Sequence, residues 1–120
     1  MSQHHYACTW QGRPISVLMG WDRPLQGFFM VIEFDDAGDE DDEEAWLLYS
    51  NLNDSDLTPT GMSRSCGYFQ EKLAVLGVSV PTQMIEAIER DGQDNTGNKE
   101  VWYDHKGRVV ATACDEESRP

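Results

Sequence analysis

Basic residues are scarce in this chain. Lys and Arg number 9 against 22 Asp and Glu, a formal net charge of −13. So few cations release few of the counterions condensed on nucleic-acid phosphates, and that release drives most nucleic-acid binding. Direct contact with DNA or RNA is therefore not expected, nor is contact with anionic membrane surfaces. Long apolar runs are missing too: none approaches the ~20 residues a spanning helix needs. The first ten residues, MSQHHYACTW, have no basic start, apolar block or small-residue cleavage site of a secretory signal. Cysteine is equally sparse. Cys8, Cys66 and Cys114 are an odd number without close spacing, which suits neither a disulfide framework nor the paired thiolates of a zinc ribbon. Free thiols in a reducing cytoplasm are the expectation.

What is present suffices for one core. The chain has 120 residues, 39% of them hydrophobic, and a single domain of this size can bury roughly two thirds of its unfolded surface. From Tyr6 to Leu52 the apolar residues alternate or form short blocks, as strands do. His5 to Trp10 and Ile15 to Gly20 read as the first two strands, with Gly12 and Pro14 turning between them. GFFMVIEF is apolar on both faces from Phe28 to Ile32, as a central strand covered on each side requires. AWLLYSNL supplies a fourth strand.

The period then changes. Met62, Cys66, Phe69, Leu73 and Leu76 form a helical stripe that stops at Gly77, a residue suited to the left-handed cap. Pro81 opens a second helix carrying Met84, Ile85 and Ile88, which is expected to close at Gly92. KEVWYD and RVVATAC, turned by DHKG, complete the chain as a hairpin. The predicted architecture is an α+β domain over residues 1–120. Its sheet has about six mostly antiparallel strands, from a four-strand meander and a C-terminal hairpin, with both helices packed on one face. A flexible acidic loop is expected at 35–44 and a flexible tail at 115–120.

The acidic run EFDDAGDEDDEEAW, Glu33 to Trp46, is the most conspicuous segment. As a calcium loop it fails: starting at Asp35 puts Glu40 at the sixth position, where glycine must make the sharp turn, and starting at Asp39 puts Glu44 there. A solvated turn fits better. Its repulsive charge would hinder strand association beside the sticky third strand. It could also imitate nucleic-acid phosphates and occupy a nucleic-acid-binding protein, together with Glu86, Glu89, Asp91 and Asp94.

Two constellations could carry chemistry. Cys66, early in the first helix, is a candidate nucleophile with His105 as its base, although its place on the apolar stripe equally suits a buried structural thiol. His4 and His5 with Cys8 or Cys114 could bind zinc only if the first strand bends, and a frayed polar terminus accounts for them more simply. No metal or cofactor is expected.

In a meander alternate loops share an end, so WDRPLQ and NLNDSDLTPT should meet at the end away from the acidic run. Trp21, Asp22, Arg23, Gln26, Asn51 and Asn53 gather there as candidate ligand-binding residues, with Trp21 packing on the sheet as the plainer alternative. The sequence thus reads as a small, acidic, soluble, cytoplasmic domain that is not an enzyme and binds a protein partner or small ligand. The alternatives are a thiol enzyme using Cys66 and His105, and the acidic mimic.

Overall fold

The structure is a computed structural model that describes residues 1–36, 46–57 and 61–113. Six strands are present among them: β1 (Ser2–Trp10), β2 (Arg13–Asp22), β3 (Gly27–Phe34), β4 (Leu47–Ser50), β5 (Lys99–Tyr103) and β6 (Val109–Ala113). Two helices, α1 (Cys66–Leu76) and α2 (Thr82–Asp94), separate β4 from β5. The strands form one sheet in the order β4-β3-β2-β1-β5-β6, giving a single compact α+β domain.

The first four strands are the expected meander. Gln11 and Gly12, with φ of 50° and 80°, turn β1 into β2, because consecutive left-handed residues match the twist of a tight hairpin. β5 does not extend the meander at β4. It lies parallel to β1, with Ser2 opposite Lys99 and Tyr6 opposite Tyr103. Parallel neighbours need a long crossover, which the two helices supply. The middle of the sheet therefore belongs to β2 and β1. β3 is one strand in from an edge, paired with β2 along its length and with β4 only over Val31 to Glu33. Its open end is covered by Ser63, which exchanges two backbone hydrogen bonds with Phe28 at 2.7 and 3.1 Å.

Register aligns Tyr103, Tyr6, Val17, Ile32 and Tyr49 in one row across the sheet, and Val101, His4, Met19 and Met30 in the next. Phe69 of α1 packs edge-on against Tyr49, and Asp91 of α2 meets His4. Phe69, Met84, Ile88, Ile15, Val17, Met30 and Ile32 are fully buried, each stabilising the fold by about 1.5–3 kcal/mol.

The helix ends differ from the sequence reading in instructive ways. α1 starts at Cys66 and not at Met62, because the Ser63 backbone is committed to Phe28 while Ser65 Oγ caps the Gly67 amide at 3.1 Å. Its C-terminus is the expected left-handed cap, Gly77, at φ 80°. α2 uses Pro81 as N-cap and runs through Gly92 to Asp94, with Asn95 at φ 51° closing it. Gly92 is there for space: a Cβ would stand 2.5 Å from Phe28 Cζ and 3.4 Å from Trp21 Cε3.

The start of the chain is not frayed. β1 begins at Ser2, and both Ser2 and His4 are wholly buried. Of the acidic segment, Asp35 accepts from Ser16 Oγ and Asp36 makes a two-pronged pair with Arg13. The rest of that run, 37–45, and the tail from 114 lie outside the described residues. No helix among the described residues is long and apolar enough to cross a membrane.

Candidate functional site

The loop after β2 is built from Trp21 outward. Trp21 is 7% exposed and packs against the Phe28 ring at 5.0 Å, close over Gly92. Its indole N–H donates to Asn95 Oδ1 at 3.1 Å. Asp22 is buried and accepts from the Leu25 amide, fixing the turn that Pro24 begins. Gln26 follows at φ 53°, a conformation ordinarily left to glycine. Its side-chain amide donates to Asn95 Oδ1 and to the Arg23 carbonyl, both at 2.7 Å. Asn51 is buried and donates to the Gly61 carbonyl, whereas Asn53 and Arg23 are exposed.

Of the six residues singled out from sequence, Trp21 and Gln26 line a common groove. It encloses about 500 Å³ between the β2–β3 loop and the segment before α1, and its other walls are Leu25, Gly27, Met62, Ser63 and Arg64. A second hollow of about 370 Å³ continues past Trp21 and Arg64 to Phe28, Ser65, Cys66, Glu89, Gly92 and Gln93. Asp22 and Asn51 act as braces for the loops, not as walls. Arg64 borders both hollows. Arg13, Lys72, Lys99 and Arg108 each pair with a carboxylate, whereas Arg64 and Arg23 have no ion pair among the described residues.

Comparison with protein-family models, curated proteins and solved structures finds no match.

The Cys66 thiol faces the second hollow but is 3% exposed. Burial, with a smaller contribution from the nearby Glu89 charge, pushes its pKa up to about 11, the direction opposite to activation. His105 lies elsewhere. It bonds the Tyr6 hydroxyl through Nδ1 at 2.9 Å and shares a separate groove with Ala7, Cys8, Thr9, Gly77 and Ser79. Cys66 neighbours Trp21, whose amide bonds Ser2 at the start of β1, while His105 neighbours the end of β1. The two side chains border different hollows, with no residue common to both linings. The carboxylate of Asp104, next to His105 in sequence, accepts from the Lys106 and Arg108 amides and the Arg108 guanidinium. Asp39 to Glu44, on which the acidic-mimic reading rests, lie outside the described residues.

Sequence reasoning missed a buried polar chain. His4 Nε2 is 2.6 Å from Asp91 Oδ2 and Nδ1 is 2.8 Å from the Tyr103 hydroxyl, while Lys99 Nζ reaches Asp91 Oδ1 at 2.6 Å. Burial works to raise the Asp91 pKa, but the hydrogen bonds from His4, Lys99 and Ser2 outweigh it and hold it below the ordinary value. Burial, then the Asp91 charge, pushes Tyr103 up to about 12. One signal was available. Asp91 follows Met84 and Ile88 at spacings of four and three, so a carboxylate occupies the apolar stripe of α2 and needs a buried partner.

Among the described residues, no three His, Cys, Asp or Glu side chains come together as a metal site would require. The buried chain ties α2 and β5 to β1.

Proposed function

We propose that this domain is a binding module, not an enzyme, and that it takes a protein partner or small ligand through the groove between Trp21 and Arg64. The observation that carries the reading is Arg64, a guanidinium with no ion pair among the described residues, bordering two adjoining hollows on a chain of net charge −13. Elsewhere the negative field discourages anions; here Arg64 favours one. A guanidinium offers a planar fork that fits a carboxylate or phosphate with two hydrogen bonds. Leu25, 52% exposed, and the half-buried Met62 supply apolar contact beside it. The ligand class is therefore a short molecule or peptide segment that carries one anionic group next to an apolar one.

The groove is braced before any ligand arrives. Gln26 is tied to Asn95, and Trp21 to the same oxygen, so little loop entropy remains to be lost on binding. The test is an amide-resolved NMR titration with small aryl carboxylates and aryl phosphates. Saturable shifts should concentrate on Leu25, Gln26, Met62 and Arg64. Arg64→Gln should weaken binding by about tenfold or more, the size expected of a hydrogen bond to a charged group. Shifts scattered over the surface, or unchanged in Arg64→Gln, would refute the proposal.

A further inference from the structure

Arg64 and Glu89 carry opposite charges and line the same hollow of about 370 Å³, yet neither has an ion pair among the described residues. A ligand can therefore meet both. Arg64 comes from the segment before α1 and Glu89 from the exposed side of α2, and the Trp21 and Phe28 rings share the lining with them. Aromatic walls lower the local dielectric, so each charge acts across the hollow more strongly than it would on an open surface. Cys66, in the same lining, registers the carboxylate: after burial itself, the Glu89 charge is what raises its pKa.

The two hollows have Trp21 and Arg64 in common. A molecule lying across their junction meets the guanidinium at the junction, the Glu89 carboxylate on one side, and Leu25 and Met62 on the other. We propose that the groove takes a free amino acid with an apolar side chain, its carboxylate on Arg64, its ammonium on Glu89 and its side chain against Leu25 and Met62. The assignment rests on the groove being a binding site, as argued above. In such a molecule one carbon bears all three groups, which suits walls that meet at one junction. An aryl carboxylate without an amine leaves Glu89 unmatched and sets like charges near one another, whereas an amine without a carboxylate leaves Arg64 unmatched. A peptide holds its end charges further apart. The net charge of −13 draws the ammonium in, and the Arg64 fork holds the carboxylate.

The test is an amide-resolved NMR titration at pH 7 with four matched probes: L-phenylalanine, hydrocinnamate, which lacks only its ammonium, N-acetylphenylalanine, whose amine is neutral, and phenethylamine, which lacks its carboxylate. Phenylalanine should bind about tenfold more tightly than the other three, the size expected of one added hydrogen bond between charged groups. Its shifts should extend to Glu89 and Gln93, which hydrocinnamate leaves unmoved. Glu89→Gln, a change on the exposed side of α2, should abolish the advantage of phenylalanine and leave hydrocinnamate binding unchanged or slightly tighter. An unchanged amide spectrum away from the hollow checks that this variant folds. Hydrocinnamate that binds through Arg64 while phenylalanine binds no tighter overturns the assignment and leaves the groove reading standing. An advantage that survives Glu89→Gln overturns it as well, and so does phenethylamine binding as tightly as phenylalanine or glycylphenylalanine binding more tightly. Absence of binding by all the probes overturns both the assignment and the groove reading.

Discussion

His4 Nε2 and Asp91 Oδ2 lie 2.6 Å apart across 87 residues of sequence, in a place where His4 is wholly buried and Asp91 is 3% exposed. The pair joins the first strand to the last turn of α2, and Lys99 completes it from β5. Removing the imidazole takes one hydrogen-bond partner from a buried carboxylate that keeps Lys99, a class of change that costs about 1–3 kcal/mol. His4→Ala is expected to lower the urea midpoint accordingly without changing the slope. A loss below about 1 kcal/mol would mean that water replaces the ring.

The acid limb of stability should report two carboxylates. Asp54 accepts from Tyr49 at 2.6 Å and Tyr68 at 2.8 Å, and these bonds bring its pKa down to about 2 from an ordinary 3.8, against the opposing effect of burial. Asp91 is also held below that value. A depressed folded pKa means the unfolded chain takes up protons first. The stabilisation is therefore present above about pH 4 and is lost as pH falls towards 2. Melting temperatures measured from pH 6 to 2 should show this fall, and Asp54→Asn should flatten it. An equal fall in Asp54→Asn would exclude Asp54 as its source.

Gly92 tests packing beneath the groove. Alanine is the better helix former by about 1 kcal/mol, yet its Cβ would stand 2.5 Å from Phe28 Cζ, and overpacking typically costs about 1–3 kcal/mol. The second effect is the larger. Gly92→Ala should be destabilising in thermal melts and should alter the near-ultraviolet signal of Trp21.

Gln26 combines strain with function. Replacing it by glycine relieves a left-handed conformation worth about 1–2 kcal/mol but deletes two hydrogen bonds worth about 0.5–1.5 kcal/mol each. Stability should therefore stay within about 1 kcal/mol, while the loop loosens and aryl carboxylate binding weakens several-fold. Binding that is unchanged in Gln26→Gly would separate the loop brace from recognition.

Thiol labelling separates binding from catalysis. Cys66 is 3% exposed with a pKa near 11, whereas Cys8 is partly exposed. Mass spectrometry after brief iodoacetamide treatment at pH 7 should find Cys8 alkylated well ahead of Cys66. Faster modification of Cys66 would restore the case for a thiol enzyme.

Local pattern determined a good deal by itself. Period-two alternation and the short turns yielded the meander, the helical stripes yielded both helices, Gly77 marked the end of α1, and DHKG marked the last hairpin. Each depends on neighbours a few residues apart, where side-chain direction follows directly from backbone geometry. Of the loop cluster expected from alternation, the structure brings Trp21 and Gln26 of the β2–β3 loop to one groove, and leaves Asp22, Arg23, Asn51 and Asn53 off its walls.

Tertiary structure decided the remainder, because it turns on contacts between distant residues. Placing β5 parallel to β1 sealed both edges of β1 and buried Ser2 and His4, which a polar start of chain cannot announce. Only then did Asp91 acquire partners. Met62 left the helical stripe because the open end of β3 needed the backbone of Ser63, bringing Met62 and Arg64 to the groove wall. Gly92 reads as a helix terminator until the Phe28 ring occupies the space its side chain would fill. In each case a burial requirement or an unmet backbone hydrogen bond, satisfied across the fold, overrode the local preference.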